Sequence, residues 1–204
     1  MLPEGFVYVK DYIPTLIESL FYFSDFNFMG RPAAGYKANK VILTLAATAQ
    51  LQKAAADFAN DGWKIKVIDA YRPTKAVDDF WQWALDQNDT KMKDIFYPEF
   101  EDKTLIFDGY LAKYSSHSRG SAVDLTLVKD GKEIDMGSQI DLLGTISNTI
   151  SDKITQEQQQ NRLYMRDIMH KHGYDNYRKE WWHYALLNEP FPRNPEDHLN
   201  FDVE

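Results

Sequence analysis

The stretch SAVDLTLVKDGKEIDMG, residues 121–137, decides the fold class. Its first eight residues, 121–128, alternate branched apolar side chains with small or polar ones, which is the period of a strand. Lys129-Asp130-Gly131 then offers a tight turn into a further short segment, 132–137, and strands joined by such a turn are antiparallel neighbours. Upstream, WKIKVIDAY at 63–71 alternates in the same way, and Pro73 stops it, so Arg72 stands at its C-terminal edge. Residues 36–60 carry Val41, Leu45, Ala49, Leu51, Ala55, Phe58 and Ala59 mostly at three- and four-residue steps before Gly62, which predicts a long amphipathic helix. Further helices are expected over about 74–86 and over Arg162–His172, the latter ending at Gly173, and an aromatic-rich strand over 181–187. Residues 87–113 read as a long covering loop, and the acidic tail, 193–204, as extended. Helices and strands in mixed order, without regular βαβ alternation, give an α+β class. The expectation is a single domain, 1–204, with a central, mainly antiparallel sheet flanked by helices.

Composition narrows the function. The 204 residues are 44% apolar and 14% aromatic, enough for a substantial core. The net charge of -8, with scattered Lys and Arg, excludes the electrostatic footprint of a nucleic-acid binder. The absence of cysteine removes disulfides, thiolate zinc sites and cysteine nucleophiles, leaving His and carboxylates as metal ligands. The N-terminus has charges among its apolar residues and no secretion-signal pattern, and the uncharged run 41–52 is too short to span a bilayer. A cytoplasmic protein without a membrane or nucleic-acid partner is therefore expected. Serine-hydrolase, phosphate-loop and dinucleotide fingerprints are missing from the sequence.

In 121–128 the odd-numbered Val123, Leu125 and Leu127 are expected to face a core, while Ala122, Asp124 and Thr126 share a polar face. His117 lies seven positions before Asp124, so the two converge only if the chain turns between them, and Gly120 beside small Ser121 supplies that turn. By itself this segment reads as a turn histidine and a surface aspartate. The segment KEWWHYAL, 179–186, adds Glu180 and His183 three apart, so Glu180 is expected to precede the strand or sit at a bulge. A catalytic zinc takes three His or carboxylate ligands and leaves a position for water, whose proton a nearby carboxylate can accept. His117, Asp124 and His183 are the candidate ligands and Glu180 the candidate base; a satisfied core histidine among tryptophans is the alternative. Arg72, at a strand end, is a candidate for stabilising the oxyanion of an attacked carbonyl, against a solvated arginine before a proline. His170 and His172 fit the cationic C-terminus of a helix.

Together DAYRP at 69–73, SSHSRGSAVDLTL at 115–127 and EWWHY at 180–184 resemble the D-alanyl-D-alanine dipeptidases of the vancomycin-resistance type. These belong to a wider superfamily of zinc D,D-peptidases with a hedgehog-like fold. The resemblance extends through GFVYVKDYI at 5–13, GRPAAGYKANK at 30–40, MGSQID at 136–141 and LNEPFP at 187–192, and weakens over 142–160. It implies one zinc ion per chain on His117, Asp124 and His183, acid/base catalysis by Glu180 and transition-state stabilisation by Arg72. It further implies Asp141 as partner of the substrate's free ammonium, with Ser115, Tyr22 and Tyr36 lining the pocket. The implied substrate is D-Ala-D-Ala, a cytoplasmic dipeptide of cell-wall precursor metabolism or glycopeptide resistance. A cell-wall D,D-carboxypeptidase or endopeptidase and a non-catalytic zinc-binding module are the alternatives within the superfamily.

Overall fold

A computed structural model describes residues 1–191 and 198–204. In chain order its strands and α-helices are β1 (Phe6–Tyr8), β2 (Ile17–Glu18), β3 (Ile42–Thr44), α1 (Leu45–Asn60), β4 (Lys64–Asp69), α2 (Thr74–Leu85), α3 (Lys93–Phe96), β5 (Ala122–Lys129), β6 (Lys132–Glu133), α4 (Gln156–Lys171), β7 (Tyr174–Asn176) and β8 (His183–Leu186). The main sheet runs β2-β4-β5-β8-β7, with β6 paired to the far end of β5. Every pairing in it is antiparallel except β2 with β4. β1 and β3 form a separate antiparallel pair. Helix α1 packs Ala47, Leu51, Ala54 and Phe58 into the core, and the Tyr174 hydroxyl of β7 donates to Ala47 O at 2.7 Å. The sheet is thus mainly antiparallel and flanked by helices, as expected.

Boundaries differ where nonlocal pairing outweighs local pattern. The helix expected over 36–60 starts at Leu45, because Ile42–Thr44 pair with Phe6–Tyr8 and Thr44 caps the helix by accepting from Ala47 N at 3.2 Å. Helix α4 begins six residues before Arg162, at Gln156, where Thr155 and Gln158 form a reciprocal capping box that an apolar period cannot reveal. The tryptophans of the strand expected over 181–187 lie in a turn before β8. Loop 87–113 holds the short α3 and a 3-10 turn at Lys103–Phe107, and its buried Lys103 ammonium donates to Trp83 O and Asp89 O, both at 2.8 Å.

The face of β5 expected to be polar is buried, with Asp124 4% and Thr126 1% exposed, which sets aside the reading of a surface aspartate. Buried carboxylates need partners, and that requirement leads directly to the site. Residues 193–197 of the expected extended tail lie outside the described residues. Residues 198–204 run without helix against the core: Leu199 N donates to Ser118 O, Phe201 stacks on Tyr71 at 3.9 Å, and Val203 bridges to Tyr36.

Candidate active site

Register builds the site. In the sheet Asp69 of β4 is paired with Asp124 of β5, and Asp124 with His183 of β8, so three ionisable side chains line up across adjacent strands. A register shift between Val67 and Asp69 brings Asp69 into that row. His117 arrives from a 3-10 turn, Ser116–Arg119, opened by Ser115, whose side chain accepts from His117 N at 3.2 Å. Gly120 closes the turn at φ +71°, and a Cβ there would lie 2.1 Å from Phe6 Cε1, so glycine is required twice over. The turn inferred between His117 and Asp124 is present, and it brings both to one point.

That point is crowded with acceptors. His117 Nδ1 lies 2.7 Å from Ala70 O, which assigns its proton there and leaves Nε2 as a lone pair. His117 Nε2 is 3.0 Å from His183 Nδ1 and 3.3 Å from Asp124 Oδ2, while His183 Nδ1 is 2.9 Å from Asp124 Oδ1. A single proton on His183 Nδ1 can bridge one of its two contacts and leaves His117 Nε2 facing a carboxylate without one. A cation relieves all three contacts together. One ligand atom from each of His117, Asp124 and His183 falls within 4.8 Å of the others, and two imidazoles with a carboxylate are a donor set that suits zinc. His183 Nε2 lies 3.3 Å from Ser116 Oγ, so both imidazoles are held from behind, as metal-ligating histidines usually are.

Arg72 is buried beside this cluster. Its Nε donates to Asp69 Oδ2 at 2.9 Å, its Nη2 lies 2.7 Å from the same oxygen and 3.8 Å from Asp124 Oδ2, and its guanidinium packs 5.0 Å from the rings of Tyr22 and Phe80. Glu180 precedes β8, in the turn where its N donates to Tyr177 O and its O accepts from His183 N. Arg72, Ser115, His117, Asp124, Asp141, Tyr22, Glu180 and His183 all line one cavity of about 360 Å³. Tyr36 is absent from that lining. Its hydroxyl instead donates to Asp69 Oδ1 at 2.5 Å, which places it behind Arg72. Sequence reasoning missed Asp69, the residue joining Tyr36 to Arg72; its signal was the three-residue spacing to Arg72 at a strand end. Ser116 was missed as well, for want of any pattern.

Electrostatics separates the carboxylates. Burial opposes ionisation of Asp124, but His117 and His183 beside it hold it well below the usual carboxylate range. Burial, then Asp124 and Asp141, pushes Glu180 well above it. Burial, then Asp124, raises Asp141 to about 7, although the Tyr22 hydroxyl donates to its Oδ2 at 2.8 Å. Burial lowers His183 against the pull of Asp124, which favours the neutral imidazole that a metal needs. One carboxylate kept ionised among ligands beside two kept protonatable is the pattern of an acid/base site.

Such a cavity, with a metal-competent triad, a guanidinium and a protonatable carboxylate, defines a metal-dependent hydrolase. The family model described as D-ala-D-ala dipeptidase, Peptidase_M15, matches residues 3–204, and the chain belongs to that family of peptidases. It is 37% identical over 204 residues to the D-alanyl-D-alanine dipeptidase of Enterococcus faecalis, covering 99% of this chain and 100% of that one. It is 36% identical over 179 residues to that of Streptomyces coelicolor, covering 87% of each. A solved structure of a vancomycin-resistance D,D-pentapeptidase in complex with Zn(II) is more distant, at 16% identity and a TM-score of 0.45 over 75% of this chain and 77% of that one.

Proposed function

We propose that this chain hydrolyses D-alanyl-D-alanine to two molecules of D-alanine, with one zinc ion held by His117, Asp124 and His183. The observation that carries the reading is the meeting of that triad with Glu180, Arg72 and Asp141 in one cavity of about 360 Å³, in a member of the dipeptidase family. When bound, zinc supplies Lewis acidity towards the scissile carbonyl and a water made acidic enough to ionise near neutral pH.

The remaining chemistry belongs to the chain. Glu180 takes the proton from the attacking water and returns it to the departing amine, a double task favoured by its raised proton affinity. Arg72 donates to the carbonyl oxygen as that oxygen becomes negative. Asp69 and Tyr36 fix the guanidinium beforehand, so no reorganisation is needed in the transition state. Asp141 pairs with the free ammonium of the dipeptide, while Tyr22 and Ser115 shape the pocket around it. An acylated amine would leave Asp141 buried and unpaired, which discriminates against stem peptides and in favour of the free dipeptide. The free dipeptide is made in the cytoplasm, and we place the protein there. Among the described residues no helix is long and apolar enough to cross a membrane.

The test is alanine release by the zinc-loaded protein from D-Ala-D-Ala, L-Ala-L-Ala and a pentapeptide ending in D-Ala-D-Ala. Activity confined to the first is expected, with Glu180→Ala losing about a thousandfold or more while retaining zinc. Cleavage of the pentapeptide without cleavage of the dipeptide would instead mark a D,D-carboxypeptidase.

A further inference from the structure

Arg162 of α4 is fully buried, yet it lies outside the cavity and takes no part in the chemistry above. Its hydrogen bonds run to backbone carbonyls and one hydroxyl. Nε donates to Met136 O at 2.7 Å, Nη1 to Ile146 O at 2.9 Å and Asn148 O at 2.6 Å, and Nη2 to Ser138 Oγ at 3.2 Å. These acceptors flank a single loop, with 136 and 138 on its entering strand of chain and 146 and 148 on its leaving one. One planar guanidinium therefore cinches the base of the loop, which a lysine ammonium, a point donor on a flexible stem, would do less completely.

Asp141 stands within that loop at φ +65°, a left-handed conformation that a non-glycine residue keeps when its surroundings enforce it. The same base is stitched to the turn that carries Glu180. Trp181 Nε1 donates to Ser138 Oγ at 2.9 Å and Trp181 N to Ser147 O at 3.0 Å, and the Arg162 guanidinium lies 5.8 Å from the Trp181 ring.

We infer that Arg162 is a positioning residue for Asp141, and so sets the preference for a free amino terminus from outside the pocket. The inference rests on the role given to Asp141 above and extends it to a residue that touches neither substrate nor metal.

The experiment compares wild type, Arg162→Lys and Ser138→Ala, each zinc-loaded, on D-Ala-D-Ala and its N-acetyl derivative, with zinc content and thermal unfolding recorded. Arg162→Lys is expected to keep full zinc and a kcat within about threefold, to raise KM about tenfold, and to narrow the discrimination against the acetylated dipeptide. Ser138→Ala is expected to move KM the same way by about threefold, and it carries the test should the lysine variant fail to fold. Folded variants with unchanged KM and unchanged discrimination, however much their unfolding temperature drops, overturn the inference alone. A wild type that leaves D-Ala-D-Ala intact overturns the functional reading and this inference with it.

Discussion

His117, Asp124 and His183 are set by strand register and by one glycine-closed turn, whereas Asp141 sits in a loop whose base is tied largely by side chains, Arg162 and Trp181 foremost. The first region has its geometry shared among many backbone hydrogen bonds, so no one side chain outside the triad decides it. The second rests on a few side chains at the loop base, Arg162 with Ser138 and Trp181, and on the left-handed backbone at residue 141. On the proposed function, the chemistry is thus carried by the sheet and recognition of the ammonium by the loop.

Three substitutions break or sharpen that contrast. The largest effect belongs to the strand-borne half: Asp124→Ala should abolish zinc binding and alanine release together, read by metal analysis and a D-alanine assay. Its unpaired histidines would then face each other across an empty carboxylate position. Next, if Arg72 acts on the transition state as proposed, Arg72→Met should lower kcat by about a hundred- to a thousandfold and leave the zinc content unchanged.

The smallest effect belongs to the loop. Asp141→Asn should raise KM about tenfold with a lesser change in kcat. In wild type, KM should fall with rising pH as Asp141, whose carboxyl burial pushes up, ionises and can pair with the ammonium, and this dependence should vanish in the variant. Stability should run the other way. The folded carboxyl holds its proton up to about 7 while the unfolded one releases it near 3.8, so its contribution to the metal-free protein is fully present at low pH. That contribution is lost as pH climbs towards 7, and chelator-treated wild type should show a fall in unfolding temperature over this range that Asp141→Asn lacks.

The two regions also differ in how far the sequence disclosed them. β4 and β5 were legible because alternation is local, and the triad because His, Asp and His stood in segments whose spacing forced a turn or a strand start. The start of α1 was not, since 41–44 satisfy both helical spacing and strand propensity, and the distant Phe6–Tyr8 decides between them. Burial of Asp124 and Thr126 was likewise hidden, because what covers a strand face lies elsewhere in the chain. Tyr36, Asp69 and Arg72 form a relay across thirty-three and three positions of sequence, and only the second of those intervals leaves a local trace. Arg162 left none: three of its four acceptors are carbonyl oxygens, which every residue possesses.

The end of β4 and the His117 turn hold one another through main-chain atoms, with His117 Nδ1 on Ala70 O and Arg72 N donating to His117 O at 3.3 Å. A carbonyl oxygen is not encoded by any codon. Residue 70 can drift among whatever small side chains the packing admits and still present the same acceptor, so the orientation of the imidazole is shielded from most of the mutations that reach its surroundings. Substitutions around His117 can therefore change its neighbours without loosening this contact, whereas on the inference drawn above a change at the loop base would alter what the pocket accepts.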